Sequence, residues 1–233
     1  MADAGRCNAE FAGADAAAIL QAALTEPRFG RTALVSSFGA ESAVLLHLAA
    51  EIRRDIPILL VDTGWLFPET LAYAQDLGRL LGLTDVRALT PDPDMLAARD
   101  PIRLRWSYDP DGCCGIRKVA PLEHALGDFD TWISGRKAFQ SRTRTDLPAF
   151  ENDATHLKIN PLRDWSAVDI QSYAATHSLP PHPLVAEGYR SIGCSPCTSR
   201  TLPGEDPRAG RWRGWDKVEC GIHKPVEGSD PAF

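Results

Sequence analysis

From Thr32 onward the chain alternates short apolar runs of β type with stretches of helical periodicity, and this alternation restricts its fold more than any other feature. "TALVSS" (32–37) leads into a glycine-containing loop, "SSFGAES", and then the helical pattern "SAVLLHLAAEIRRD". A second run, "PILLVD", ends at Asp62 and is followed by "TGWLFPETLAYAQDLGRLLG", where Pro68 and Glu69 suit a first helical turn. A third run, "TDVRAL", begins at Thr84. Strands that alternate with helices of about 10 to 15 residues predict βαβ units around a mostly parallel sheet flanked by helices, a Rossmann-like α/β fold.

The pattern resumes with "CCGIRKVAPLEHAL" as a helix and with "TWISG" and "HLKINPL" as strands. "DWSAVDIQSYAATH" carries a helix-start signature: Ser166 as N-cap, Asp169 three residues on, and Trp165 set to pack on Ile170. An alanine-rich first helix precedes all of this. From Pro180 onward prolines, glycines and arginines are frequent and periodicity fades. We expect one domain over 1–233, with an α/β core over about 26–202 and a loosely packed, mobile C-terminal segment over about 203–233.

Composition narrows the function classes. With 44% hydrophobic and 24% charged residues the chain is ordinary for a soluble globular protein. It has no apolar run near the roughly 20 residues of a membrane span and no secretory layout at its N-terminus, so a cytoplasmic protein without a membrane partner is expected. A net charge of -6 argues against nucleic acid as a partner, because backbone-phosphate binding needs a basic excess. A basic cluster on this acidic background needs a local anion.

Six cysteines at clustered spacings in a reducing compartment suggest metal ligation or redox chemistry. Cys113 and Cys114 are adjacent, and Cys194 and Cys197 form C-S-P-C. A vicinal disulfide at Cys113 and Cys114 would distort the peptide. Zinc favours a C-x2-C knuckle on both sides, and here one side has no spacer. Adjacent thiolates reach two corners of a larger object more easily, which weighs toward a 4Fe-4S cluster held by all four. Cys7 has no assigned role.

"SSFGAES" joins a strand to a helix, where backbone N–H groups and hydroxyls can face an anion; a plain turn explains it equally well. Asp62 and Thr63 would lie beside it at a neighbouring strand end. Two basic groups stand out: Arg136, Lys137, Arg142 and Arg144 in one, Arg208, Arg211 and Arg213 in the other. Each could be a solvated face, yet arginine forks match phosphate and sulfate oxygens. Near the end, "KVECGIHKP" sets Cys220 among glycine and proline. A cysteine contributes little to a core there, so its thiol is either incidental or used.

Taken in order, "SSFGAES", "VDTGWLFPET", "CCGIRKVAPL", "INPL", "SIGCSPCT", "RAGRW" and "ECGIH" closely resemble the assimilatory adenosine 5′-phosphosulfate reductases of the phosphoadenylyl-sulfate reductase family, from about Thr32 to His223. The resemblance implies an adenine nucleotide α-hydrolase-like fold and one 4Fe-4S cluster per subunit on Cys113, Cys114, Cys194 and Cys197. It also implies thioredoxin-dependent reduction of adenosine 5′-phosphosulfate to sulfite and AMP in sulfate assimilation and cysteine biosynthesis, through an S-sulfonate on the catalytic Cys220. Substrate contacts are expected from Ser36, Ser37, Phe38 and Gly39 of the loop, from Asp62 and Thr63, and from Lys118, Arg144, Arg208 and Arg211. Cations near Cys220, with His223 and Lys224 among the candidates, would favour its thiolate. A homo-oligomer is left open.

Three other readings share part of this pattern. Selectivity for the 3′-phosphorylated nucleotide within the same family is one, although such relatives generally lack both cysteine pairs. An ATP-using adenylating or tRNA-thiolating enzyme is a second, but its loop is typically S-G-G-x-D-S, whereas Phe38 and Glu41 stand here. An iron-sulfur redox sensor is a third, and it would need neither Cys220 nor the loop.

Overall fold

A computed structural model describes residues 2–141, 144–153 and 155–223. The elements run α1 (Ala4–Glu10), α2 (Ala16–Thr25), β1 (Thr32–Val35), α3 (Ser42–Ile52), β2 (Ile58–Val61), α4 (Pro68–Leu81), β3 (Val86–Leu89), α5 (Pro93–Arg99), α6 (Pro110–Cys114) and α7 (Ala120–Leu126). They continue with β4 (Thr131–Ser134), β5 (Phe150–Asp153), β6 (His156–Ile159), α8 (Ala167–Thr176) and α9 (Pro183–Ala186). The six strands form one sheet in the order β3-β2-β1-β4-β6-β5, parallel except for β5, which runs antiparallel to β6 at the edge. This is the mostly parallel α/β sheet that the alternation predicts.

Strand periodicity divides the core. Leu34, Ile58, Leu60 and Ile133 point to one face, where they pack with α2, α3 and α4. Ala33, Leu59 and Trp132 point to the other and meet Leu122 and Leu126 of α7. In α4 the buried Thr70, Tyr73, Ala74, Leu77, Gly78 and Leu81 recur at helical spacing. Pro68 opens that helix and Gly82, at φ 64°, closes it. Among the described residues no helix is long and apolar enough to cross a membrane.

Several local expectations change. The alanine-rich N-terminal stretch forms two helices, because Gly13 turns left-handed (φ 76°) and Asp15 caps a new start by accepting from the Ala18 N–H at 2.8 Å. Ser166 and Asp169 do make the reciprocal capping box of α8. Trp165 shares the core with Ile170, but its ring sits edge-on to Tyr173 at 5.4 Å. β5 has no apolar run to announce it. Its outer backbone is covered by Asn8 of α1, which donates to the Phe150 carbonyl at 2.7 Å and accepts from the Phe150 N–H at 3.0 Å. The "CCGIRK" helix passes through a π-helical turn, Gly115–Val119, between α6 and α7.

The chain winds outward from β1 to β3, then returns to place β4 on the other side of β1. The loops after β1 and β4 therefore diverge and leave a crevice at the carboxyl ends of these two strands, where open α/β sheets bind ligands.

Candidate functional site

A cavity of about 300 Å³ fills that crevice. From the β1 side Ser36, Ser37 and Gly39 line it, and from the β4 side Gly135, Arg136 and Lys137. Phe38 does not: its ring is fully buried in the core, and its backbone is left-handed (φ 47°) with the N–H donating to Ser36 Oγ at 3.1 Å. The phenylalanine thus pins the loop from beneath while its neighbours face the cavity.

Among the described residues, seven lysine and arginine side chains line this space, Lys137 and Arg190 among them. Lys118, Arg136 and Arg144 are almost wholly buried, and Arg208 and Arg211 enter from the C-terminal segment. That segment is stitched to the C-S-P-C turn: the Ser199 N–H donates to the Gly210 carbonyl at 2.8 Å and the Trp212 N–H to the Cys197 carbonyl at 3.0 Å. Glycine is required at one point of this seam, since a Cβ on Gly210 would overlap the Ser199 carbonyl; a Cβ on Gly193 would meet the Arg211 guanidinium and make that side chain shift. Arg211 lies over the Trp212 ring at 4.4 Å with its Nε buried and unbonded. Burial, then the neighbouring Arg144, pushes the Arg136 pKa down to about 10.

The C-terminal segment closes the cavity. Ile222 packs on the α7 face of the sheet, and Gly221 fits where a Cβ would stand 2.9 Å from Val119. His223 stacks on Trp132 with ring centroids 6.1 Å apart and planes 10° apart. Burial, reinforced by Lys158, Arg136, Arg144 and Arg208, holds the His223 pKa well below its usual value, so the ring is neutral. Cys220 lines the cavity and is half-buried. It lies within electrostatic reach of Lys118, Arg136, Lys158 and Arg208. Glu219 is held by Arg144 in a fork, Nε to Oε1 at 2.6 Å and Nη2 to Oε2 at 2.7 Å.

Behind this space a second, narrow cavity is lined by Cys113, Cys114, Cys194 and Cys197 together with Trp65, Trp106 and Trp212. Lys118 and Cys194 line both cavities and join them. Asp109 caps the N-terminus of α6 by accepting from the Gly112 N–H at 2.8 Å, and Cys113 and Cys114 follow at the other end of this short helix. The Ser195 N–H donates to the Trp65 carbonyl at 2.7 Å and anchors the other pair. Arg117 donates to Asp100 at 2.7 Å and to the Thr63 carbonyl at 2.9 Å just below. All four thiols are free, so no vicinal disulfide is present.

Burial, then Cys114, drives the Cys113 pKa up to about 12; burial also raises those of Cys114 and Cys197. For Cys194 burial is outweighed by Lys118, Thr63 and Arg211, and its pKa falls. Four thiols line one narrow pocket with Arg117 and Lys118 at its edge, and thiols are residues that could hold a metal group by thiolate alone. Among the described residues no three His, Cys, Asp or Glu side chains converge as the ligands of a single ion.

A phosphoadenosine phosphosulfate reductase domain model matches residues 31–200, which spans both cavities up to the C-terminal segment. The chain belongs to that family. It is 49% identical over 191 residues to an adenosine 5′-phosphosulfate reductase of Mesorhizobium japonicum, covering 82% of this chain and 75% of that one. It is 38% identical over 229 residues to the enzyme of the same name from Rhodococcus erythropolis, covering 92% and 90%. In fold it is similar to a phosphoadenylyl-sulfate reductase of Candida auris solved as a phosphate complex, with a TM-score of 0.70, 21% identity and coverage of 84% of this chain and 95% of that chain.

Most of the residues singled out from the sequence meet in these two cavities, and the departures have physical causes. Asp62 and Thr63 follow β2, on the side of β1 away from the crevice. Asp62 accepts from the Gly64 N–H at 2.9 Å, and the Thr63 hydroxyl lies 3.2 Å from Cys194 Sγ, so Thr63 belongs to the thiol pocket. Arg213 points outward to Glu205 at 2.9 Å. Arg142 and Lys224 lie outside the described residues. A neutral His223 cannot serve as a cation for Cys220. Sequence reasoning passed over Gln140, which donates to Glu41 at 2.8 Å and accepts from Arg144 at 2.6 Å. Its place inside the basic run "RKAFQSRTR" was the one available signal.

Proposed function

We propose that this protein reduces adenosine 5′-phosphosulfate to sulfite and AMP in sulfate assimilation, with a thioredoxin as reductant. The observation that carries the reading is the placement of Cys220 on the wall of a cation-lined cavity at the sheet's switch point. The loop of Ser36, Ser37 and Gly39 would receive the nucleotide, and Lys118, Arg144, Arg208 and Arg211 the phosphosulfate, whose oxygens suit guanidinium forks.

Cys220 Sγ, as thiolate, attacks the sulfate sulfur. An S–S bond forms, the bond from sulfur to the bridging oxygen breaks, and AMP leaves with that electron pair. The cations lower the cost of bringing an anionic nucleophile to an anionic ester. A thioredoxin thiolate then attacks Sγ and expels sulfite; its second thiol resolves the mixed disulfide and returns Cys220 to the thiol. Thioredoxin supplies both electrons. Because the same sulfur meets a buried nucleotide first and a protein second, the stretch around Cys220 acts as a mobile carrier; the expected tail beyond His223 lies outside the described residues.

We assign a 4Fe-4S cluster to Cys113, Cys114, Cys194 and Cys197. The donor set fits, since all four ligands are thiols and Lys118 stands between them and the substrate cavity. When bound, the cluster supplies a fixed charge that Lys118 feels, and no redox change is needed from it. The two cysteine pairs favour the 3′-hydroxyl nucleotide over its 3′-phosphate. Incubation with adenosine 5′-phosphosulfate in the absence of reductant should add SO3 to the peptide that carries Cys220, read by mass spectrometry. An unmodified peptide under conditions where the nucleotide binds would refute the reading.

A further inference from the structure

Glu219 raises a problem for any anion entering the cavity. Arg144 has both parallel donors of its fork on the Glu219 carboxylate, and its remaining Nη1 donates to Gln140 Oε1 at 2.6 Å. Arg208 Nη2 donates to Glu219 Oε2 at 3.3 Å and to the Val218 carbonyl at 2.7 Å. Two of the cations that face the cavity are therefore already neutralised by the residue next to Cys220. Lys118 and Arg211 have no carboxylate partner among the described residues.

We propose that Glu219 is an exchangeable anion: it occupies the Arg144 fork in the nucleotide-free protein and yields it to the anionic end of the entering nucleotide, which loosens the segment that carries Cys220. This rests on the reading of the cavity as a phosphosulfate nucleotide site. A phosphosulfate has an anionic group on either side of its bridging oxygen. Lys118 and Arg211 can meet the outer sulfate, and the inner phosphate, which AMP shares, suits the fork that Glu219 holds. A guanidinium fork accepts carboxylate, phosphate or sulfate oxygens with the same geometry. The exchange replaces one buried ion pair with another, so neither state leaves Arg144 buried and uncompensated, the condition that would be costly.

The wiring gives this exchange a direction. Gln140 links Arg144 to Glu41 of the β1 loop, and Glu41 also accepts from Lys137 Nζ at 2.9 Å. Loop, fork and C-terminal segment thus form one continuous chain of side-chain contacts. Once Glu219 leaves, the segment keeps the His223 stack, the Ile222 contact and the Lys217–Asp111 ion pair but loses its hold at the position beside the thiol.

The test compares wild type, Glu219→Gln and Glu219→Asp, with Glu219→Ala as a second charge-removing variant and circular dichroism to verify folding. AMP binding is measured by calorimetry, and iodoacetamide alkylation of the Cys220 peptide is timed by mass spectrometry in the nucleotide-free protein. Removing the competing charge should tighten AMP binding by about fivefold or more, the lower end of ordinary coupling between ligands. It should also accelerate alkylation, while Glu219→Asp stays close to wild type in both. AMP affinity that is unchanged or weaker in both charge-removing variants would overturn the proposal, as would unaltered alkylation. Neither readout needs turnover, so a failure to make sulfite would count against the proposed function and leave this inference standing.

Discussion

Lys158 sits where a lysine is expensive. It is buried on β6, with its ammonium 4.6 Å from the Trp132 ring and 3.4 Å from Glu151, an acid that also pairs with Arg136 and accepts from Asn160 at 3.1 Å. Burial, then Arg136, pushes its pKa from 10.5 to about 7, with Asp153 and Cys220 opposing and Arg144 adding to the shift. The folded protein therefore holds this proton less tightly than the unfolded chain does. Below about pH 7 both states are protonated and the penalty is complete; between about pH 7 and 10.5 the unfolded state binds more protons, so stability rises with pH. Integration of this linkage gives a penalty of about 5 kcal/mol at pH 6 and about 2 kcal/mol at pH 9.

Replacing Lys158 with methionine removes the titration. The loss of the cation–π contact and of the Glu151 pairing offsets part of the gain, but methionine itself does not titrate, so the pH-dependent part stands apart. The stability of the variant relative to wild type should be greater at pH 6 than at pH 9 by roughly 3 kcal/mol. That is about 6–12 °C in the difference of melting temperatures for a chain of this size, read by circular dichroism at the two pH values. A difference that is flat with pH, or larger at pH 9, would refute the argument.

Cys113→Ser should lose most of the iron, about four atoms per chain in the wild type, together with the brown colour, as read by elemental analysis and absorbance. Asp100→Ala strands Arg117, whose side chain is 5% exposed; the unpaired charge should cost about 3–5 kcal/mol and lower the melting temperature by roughly 6–20 °C. Ser166→Ala removes one half of the α8 capping box and should cost about 0.5–2 kcal/mol in urea unfolding without changing the affinity for nucleotide, since α8 lies away from both cavities.

The parallel sheet was legible because fully buried strands leave continuous apolar runs, as at "ILLV" and "TWIS". β5 was not: "FEND" has a single apolar residue, and the residue that completes its edge, Asn8, is 142 positions away. The break between α1 and α2 had a signal in Gly13 and Asp15 that the surrounding alanines obscured. The cysteine pairs could be read because their chemistry depends on residue type and spacing. The arginines could not be sorted the same way. Arg208 and Arg211 face inward and Arg213 outward for reasons that lie in Glu205, Gly193 and the seam to Ser199, all remote in sequence from at least one partner. His223 looked cationic until its burial beside Lys158 and Arg136 was known.

The π-helical turn at Gly115–Val119 sets a limit on how this region tolerates change. Each residue of a regular helix advances about 100° around the axis, and a π turn absorbs one residue without breaking the helix. Deleting a single position there would let the segment relax to ordinary α geometry with Cys113 and Cys114 on nearly the same bearing relative to Leu122 and Leu126, whereas straightening the turn at unchanged length would swing the thiols about a quarter-turn away from that hydrophobic anchor. The thiols and the anchor cannot both keep their bearings on a straight helix of this length, so a change that removes the π turn without removing a residue is more damaging here than a single deletion.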